Sequence, residues 1–232
     1  MRGLFVTGTD TDVGKTVLSA ALIAAISAAG ETVRAYKPVV TGLEAGPDTS
    51  GGVWPPDHEL LASAAGMSPD EVAPLRYAPA ASPHLASAMA GDEIDPAELA
   101  ARGRAAGAEG TLIVEGVGGL MVPLREDYSV CDLAAALALP LLVAARPGLG
   151  TINHTLLTLQ AARAARLEVR AVVLTPWPAQ PDEVQRSNRE TIARIGSVEV
   201  ATLGPVGSPG AAELARAGAT LPWPRWLAGP PA

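Results

Sequence analysis

A chain of 232 residues, 48% hydrophobic and only 3% aromatic, carries enough apolar material for one core built from Ala, Leu, Val and Ile. Its formal net charge of −7 argues against binding to nucleic acid or to an anionic membrane, both of which need basic patches. A single cysteine, Cys131, rules out an intramolecular disulfide and fits a reducing cytoplasm, while the apolar runs at Met1 to Val6 and Leu133 to Ala145 are too short for a signal peptide or a spanning helix.

In chain order, Leu4 to Thr7 reads as a strand, followed by a Gly-containing turn and a helix from Lys15 to Ala29 that Gly30 stops. Thr32 to Ala35 is a second strand. Thr41 to Pro56, rich in Gly, Pro, Ser and Asp, reads as a loop. Thr111 to Glu115 is a third strand and runs straight into Gly116-Val117-Gly118-Gly119. Cys131 falls in an apolar, helix-like stretch and reads as core. Leu141 to Ala145 and Val169 to Leu174 are two more strands, separated by an Ala/Leu helix from His154 to Arg166, and Val198 to Leu203 is a sixth. The tail from Leu221 to Ala232, with Pro222-Trp223-Pro224, reads as irregular. Continuously apolar strands with helical connectors imply an α/β fold: a mostly parallel sheet with helices on both faces. One domain over residues 1–232 is expected, with ligands outside the carboxyl ends of the strands.

The polar residues of interest follow strands. Gly8-Thr9-Asp10-Thr11-Asp12-Val13-Gly14-Lys15-Thr16 lies between the first strand and the first helix, where backbone N–H groups and a helix N-terminus form an anion cradle. In such a phosphate loop Lys15 reaches the β and γ phosphates and the Thr16 hydroxyl ligates Mg²⁺, so the fold class sharpens to a P-loop NTPase-like domain. The spacing deviates: Gly8 and Gly14 enclose five residues rather than four. Lys37-Pro38 directly follows the second strand, with Thr41 four residues on. A lysine there is more often a solvated surface charge, but it sits beside the phosphate loop if the first two strands are close. Glu115, closing an apolar strand, resembles the acidic residue that holds a nucleotide's magnesium. Asp57 is a third candidate oxygen ligand, no better than Asp48 on spacing alone.

The run from Val6 to Thr16 resembles the opening signature of dethiobiotin synthetases, displaced glycine included. The similarity continues through Tyr36-Lys37-Pro38-Val39-Val40-Thr41-Gly42, Ser82-Pro83-His84, the Val114-Glu115-Gly116-Val117-Gly118-Gly119 segment and Gly148-Leu149-Gly150-Thr151-Ile152-Asn153-His154. These blocks span most of the chain up to about residue 175, and their shared order is far more specific than any one of them.

The resemblance implies a ligase that takes 7,8-diaminopelargonic acid, CO2 and ATP to dethiobiotin, ADP and phosphate. It places Lys15 and Lys37 as catalytic residues flanking the transferring phosphoryl group and the carbamate. Thr16, Asp57 and Glu115 then hold Mg²⁺. Nucleotide contacts fall on Asp12, Val13, Gly14, Lys15, Thr16, Val17, Asp57, Glu115, Gly116, Val117 and Gly118, and on Thr175, Pro176 and Pro205 around the base. Substrate contacts fall on Thr11, Thr41, Gly150, Thr151, Asn153 and Asn188. The remote substrate carboxylate is held across a dimer interface by the loop from Gly148 to Asn153, which implies a homodimer with composite sites.

One departure stands out. Many members carry Asn-Asp after the fifth strand, whereas this chain has Thr175-Pro176. An Asn amide can read adenine bidentately; a Thr followed by Pro cannot, so nucleoside triphosphates other than ATP become candidate cosubstrates. Partition-type ATPases share the deviant loop but carry an early lysine where this chain has Asp10-Thr11-Asp12. Amidating ligases of related fold usually add a glutamine-hydrolysing domain, for which this chain has neither length nor a Cys/His pair. A bare nucleotide-binding module leaves Lys37, Thr41 and Glu115 unexplained. His58, His84 and His154 lack metal-ligand spacing.

Overall fold

The computed structural model describes residues 1–43 and 54–228. In chain order the elements are β1 (Gly3–Gly8), α1 (Lys15–Ala28), β2 (Val33–Tyr36), β3 (Val39–Val40), α2 (Asp57–Ala65), α3 (Pro69–Val72), β4 (Leu75–Arg76), α4 (Pro83–Met89) and α5 (Pro96–Ala108). Then follow β5 (Thr111–Gly119), β6 (Pro123–Arg125), β7 (Tyr128–Ser129), α6 (Val130–Leu137), β8 (Leu141–Ala145), α7 (Thr151–Ala164), β9 (Val169–Leu174), α8 (Glu183–Gly196), β10 (Glu199–Thr202), α9 (Ala211–Gly218) and α10 (Trp223–Ala228).

The six expected strands form one parallel sheet in the order β10-β9-β8-β1-β5-β2. Both faces are apolar because successive residues of each strand enter different layers. Leu4 and Val6 pack with α1, α2 and α9, whereas Phe5 between them packs with α5 and α6. Ile113 joins the first layer and Leu112 and Val114 the second. Val143, Ala145, Val172 and Leu174 pack under α7 and α8. This period-2 alternation with no polar face is the signature of a sheet covered on both sides.

Helix α1 is apolar nearly all round and buried accordingly. Its stretch Ala20, Ala21, Ala24 and Ala25 lets α9 approach closely. At the crossing, a Cβ on Gly218 would lie 2.0 Å from the Ala21 carbonyl oxygen, so only glycine fits there. Several helices start on side-chain caps: Ser68 with Glu71, Ser129 with Asp132 and Asp182 with Gln185 each form a reciprocal capping box.

Two expectations are corrected. The helix expected from His154 starts at Thr151, because Gly150 serves as its N-cap. The tail expected to be irregular contains α10. Its Pro224 sits in the first turn, where the missing N–H costs nothing, and Trp223 and Trp226 are buried against the α1 layer. Of the expected loop from Thr41 to Pro56, residues 44–53, Asp48 among them, lie outside the described residues. Among those described, no helix is long and apolar enough to cross a membrane.

Candidate active site

The site is assembled at the carboxyl ends of β1, β2 and β5. Central β1 delivers the loop from Thr9 to Gly14, in which Asp12 (φ 53°) and Gly14 (φ 85°) turn the chain left-handed into α1. Gly14 is the N-cap of α1 and offers no side-chain cap, leaving first-turn N–H groups facing an anion position. Gly14 is also hemmed in: a Cβ there would lie 2.8 Å from Thr175 Cγ2. Gly14→Ala is therefore expected to weaken nucleotide binding about 5- to 30-fold, as left-handed strain of about 1–2 kcal/mol and the crowded Thr175 push the loop out of its phosphate-binding form. Calorimetric titration with a non-hydrolysable nucleotide measures this.

Strand register accounts for the charged cluster. β2 and β5 run parallel with Tyr36 opposite Val114, so the next residues, Lys37 and Glu115, meet. Lys37 Nζ donates to Glu115 Oε1 at 2.5 Å and also to Asp57 at the start of α2. Thr16 Oγ1 donates to the same Glu115 oxygen at 2.9 Å. Across the cluster Lys15 Nζ donates to the Asp10 carbonyl at 2.8 Å. The Lys37 and Glu115 side chains are 4% and 1% exposed, while that of Asp57 is 48% exposed. Lys37 is thus buried inside an ion-pair network, against the usual surface role of a lysine at a strand end.

Burial works against the Lys37 charge, but the facing carboxylates of Glu115 and Asp57 overcome it and hold its pKa above the ordinary value. For Asp57, desolvation pushes upward and the Lys37 ammonium more than compensates, so its carboxyl is held below the ordinary range. Lys15 goes the other way: burial lowers its pKa, opposed by Glu115 and reinforced by Lys37. It is a cation short of counter-charge, suited to an incoming polyanion.

Lys15, Thr16, Lys37, Asp57, Thr11, Asp12, Val17, Thr41, Val117 and Gly118 line one cavity of about 500 Å³. A neighbouring space of about 410 Å³ shares Thr11, Thr41, Val117 and Gly118 and is closed by Ala80, Ala81, Pro83 and Val122. Pro83 belongs to the Ser82-Pro83-His84 block, whereas Trp54, Ala80, Ala81 and Val122 were not among the residues expected from motifs. They carry no chemical signal of their own and come together only through folding.

The remaining expected residues are distributed as follows. Val13 points into the core at 1% exposure. Gly116 is buried, and a Cβ there would press on Val130 and Phe5, so its packing side faces the core rather than the cavity. Thr175 lies beside Gly14; its N–H donates to the Ala145 carbonyl and its bond to Pro176 is cis. The Trp177 N–H is taken by the Leu203 carbonyl at 2.8 Å, which draws the segment of Pro205 alongside. Gly150, Thr151 and Asn153 begin α7 and do not line the Lys15–Lys37 cavity of the same chain. Asn188 is buried, and its amide donates to the carbonyls of Pro147 and Gly148.

Among the described residues no three His, Cys, Asp or Glu side chains gather as a metal cage. Magnesium does not need one, because it takes one or two carboxylates and completes its shell with phosphate and water. Thr16, Asp57 and Glu115 fit that role, and Glu115 Oε2 is a buried oxygen without a hydrogen-bond partner among the described residues, the kind of orphan a cation or its water would satisfy.

The AAA domain family matches residues 2–206. Relatives called ATP-dependent dethiobiotin synthetase BioD include one from Mycobacterium sp. (strain JLS), 42% identical over 233 residues and covering 99% of each chain. Another, from Bacillus subtilis (strain 168), is 37% identical over 204 residues, 86% of this chain and 85% of its own. Among solved structures, a ParA family ATPase from Chlorobium tepidum TLS aligns over 98% of this chain and 95% of its own with a TM-score of 0.52 at 12% identity, a likeness of fold alone. The chain thus belongs to the AAA domain family by residues 2–206 and to the ATP-dependent dethiobiotin synthetases, ligases that form carbon–nitrogen bonds, by similarity over 99% of its length.

Proposed function

We propose that the chain carboxylates 7,8-diaminopelargonic acid with CO2 and closes the ureido ring at the expense of a nucleoside triphosphate, giving dethiobiotin, nucleoside diphosphate and phosphate. One substrate amine adds to CO2 and loses a proton, giving a carbamate. A carbamate oxygen attacks the γ-phosphorus and the nucleoside diphosphate departs, leaving a carbamic–phosphoric anhydride. The second amine attacks its carbonyl and expels phosphate, which retains one oxygen from CO2. No covalent enzyme intermediate is needed, so positioning and charge neutralisation supply the catalysis.

The observation that carries this reading is the convergence of Lys15, Thr16, Lys37 and Asp57 on one cavity that adjoins a second, mainly apolar one. Lys15 and the first turn of α1 hold the β and γ phosphates. Lys37, oriented by Glu115 and Asp57, neutralises the carbamate and the transferring phosphoryl group. Thr11 and Thr41 flank the diamine, and the space walled by Ala80, Ala81, Pro83 and Val122 takes its aliphatic chain. Bound at Thr16, Asp57 and Glu115, Mg²⁺ would offset phosphate charge. The remote carboxylate meets the α7 N-terminus, Gly150, Thr151 and Asn153, of a second copy in a homodimer. The apolar surface around that helix supports this pairing: Leu149 is 96%, Met121 64% and Leu157 56% exposed. The enzyme acts in the cytoplasm as a single catalytic domain.

The test is to incubate the protein with Mg²⁺, bicarbonate and the diamine, with ATP, CTP or GTP, and follow dethiobiotin by mass spectrometry. Dethiobiotin is expected with all three nucleotides. A bidentate amide contact discriminates bases by about 1–3 kcal/mol, and Thr175-Pro176 supplies none, so their kcat/KM values should lie within about tenfold of one another. Phosphate release without dethiobiotin would leave the phosphate loop standing and overturn the substrate assignment.

A further inference from the structure

Helix α8 buries one stripe, Asn188, Ile192 and Gly196, at helical spacing. An amide on such a stripe is costly unless it is hydrogen-bonded. Asn188, 6% exposed, meets that demand outside its own helix: Nδ2 donates to the Pro147 carbonyl at 3.0 Å and to the Gly148 carbonyl at 3.2 Å. Both amide hydrogens are thereby committed. The two carbonyls belong to the loop between β8 and α7. From the other side, Arg146 of the same loop pairs with Asp10 of the phosphate loop at 3.1 Å. Directly after these anchors in the chain, Leu149 and Gly150 stand exposed, so the start of α7 is held firmly at its base and open at its tip.

We propose that Asn188 is a positioning residue for the diamine substrate. It clamps the Pro147 and Gly148 carbonyls and so fixes the exposed start of α7 that receives the remote carboxylate in the second copy's site, without touching substrate itself. The inference rests on the dimeric, carboxylate-binding reading given above. Loss of the clamp frees a segment that contains Gly148 and Gly150, residues with the most conformational freedom to lose on ordering.

The test is steady-state kinetics of the full-length variants Asn188→Leu and Asn188→Asp. Leucine keeps the branched skeleton and removes both donors; aspartate keeps the shape and sets acceptor oxygens against two carbonyls. KM for the diamine is expected to rise about tenfold in Asn188→Leu and further in Asn188→Asp. KM for ATP should stay within about twofold and the sedimentation coefficient should not change. A folding loss lowers kcat through the active fraction and leaves KM alone. With the substrate's methyl ester, which lacks the carboxylate charge, wild type and variants should show the same KM. An unchanged KM for the diamine in both variants, or an equal rise in both KM values, overturns the proposal. Absence of dethiobiotin with the wild-type chain overturns the reaction assignment itself, and the clamp with it.

Discussion

Lys37→Ala is expected to lower kcat for dethiobiotin formation by about a thousandfold, the upper end for removing one preorganised charge-stabilising donor. Among the described residues, Lys37 is the one cation that contacts both Glu115 and Asp57, so its loss also leaves two carboxylates facing each other. Breaking a buried ion pair costs about 3–5 kcal/mol, and the exposed side of Asp57 brings the figure to the low end. For a chain of this size that corresponds to a fall in Tm of roughly 6–12 °C. The pH dependence should change as well. Lys37 has its pKa raised above 10.5, so its stabilisation is complete below that value and lost as pH rises through the folded pKa. Asp57 has its pKa depressed below 3.8, so its share is present above that value and lost as pH falls through the folded pKa. In the variant both slopes should flatten. Thermal melts from acid to alkaline pH, together with product assays, check both halves of the prediction.

Lys15→Ala acts on a different step. Burial has already lowered the Lys15 pKa, and its only hydrogen bond among the described residues is to the Asp10 carbonyl. Bound phosphates would supply the missing counter-charge. A hydrogen bond between charged groups is worth about 1.5–3 kcal/mol, so Kd for nucleotide should rise roughly 10- to 100-fold. Stability should fall little, because no carboxylate loses a direct partner. Titration calorimetry and a melting curve on the same sample separate this outcome from that of Lys37→Ala.

The strands were legible because each is a continuous apolar run: Leu141–Ala145 and Val169–Leu174 have the expected bounds. The phosphate loop was legible because left-handed turns and helix starts impose residue types at fixed offsets. The burial of Lys37 was not, since it depends on Tyr36 pairing with Val114 across 78 residues of sequence. Neither was the second cavity, whose walls at Ala80, Ala81 and Val122 carry no chemical signature. Pro222-Trp223-Pro224 looked like a helix breaker, yet proline in a first turn is compatible with α10. The tie of Asn188 to the Pro147 and Gly148 carbonyls was not legible either, because sequence position does not show where an amide points.

The central claim is that this cluster activates a carbamate by phosphorylating it, rather than merely splitting a nucleotide. Single turnover with ¹⁸O-labelled bicarbonate in unlabelled water, started before the label exchanges with solvent, tests it most directly. One ¹⁸O atom in the released phosphate, appearing together with dethiobiotin, is the predicted result. Phosphate free of ¹⁸O, its fourth oxygen taken from solvent, would contradict it, because the nucleotide would then have been hydrolysed without ever engaging the carbamate.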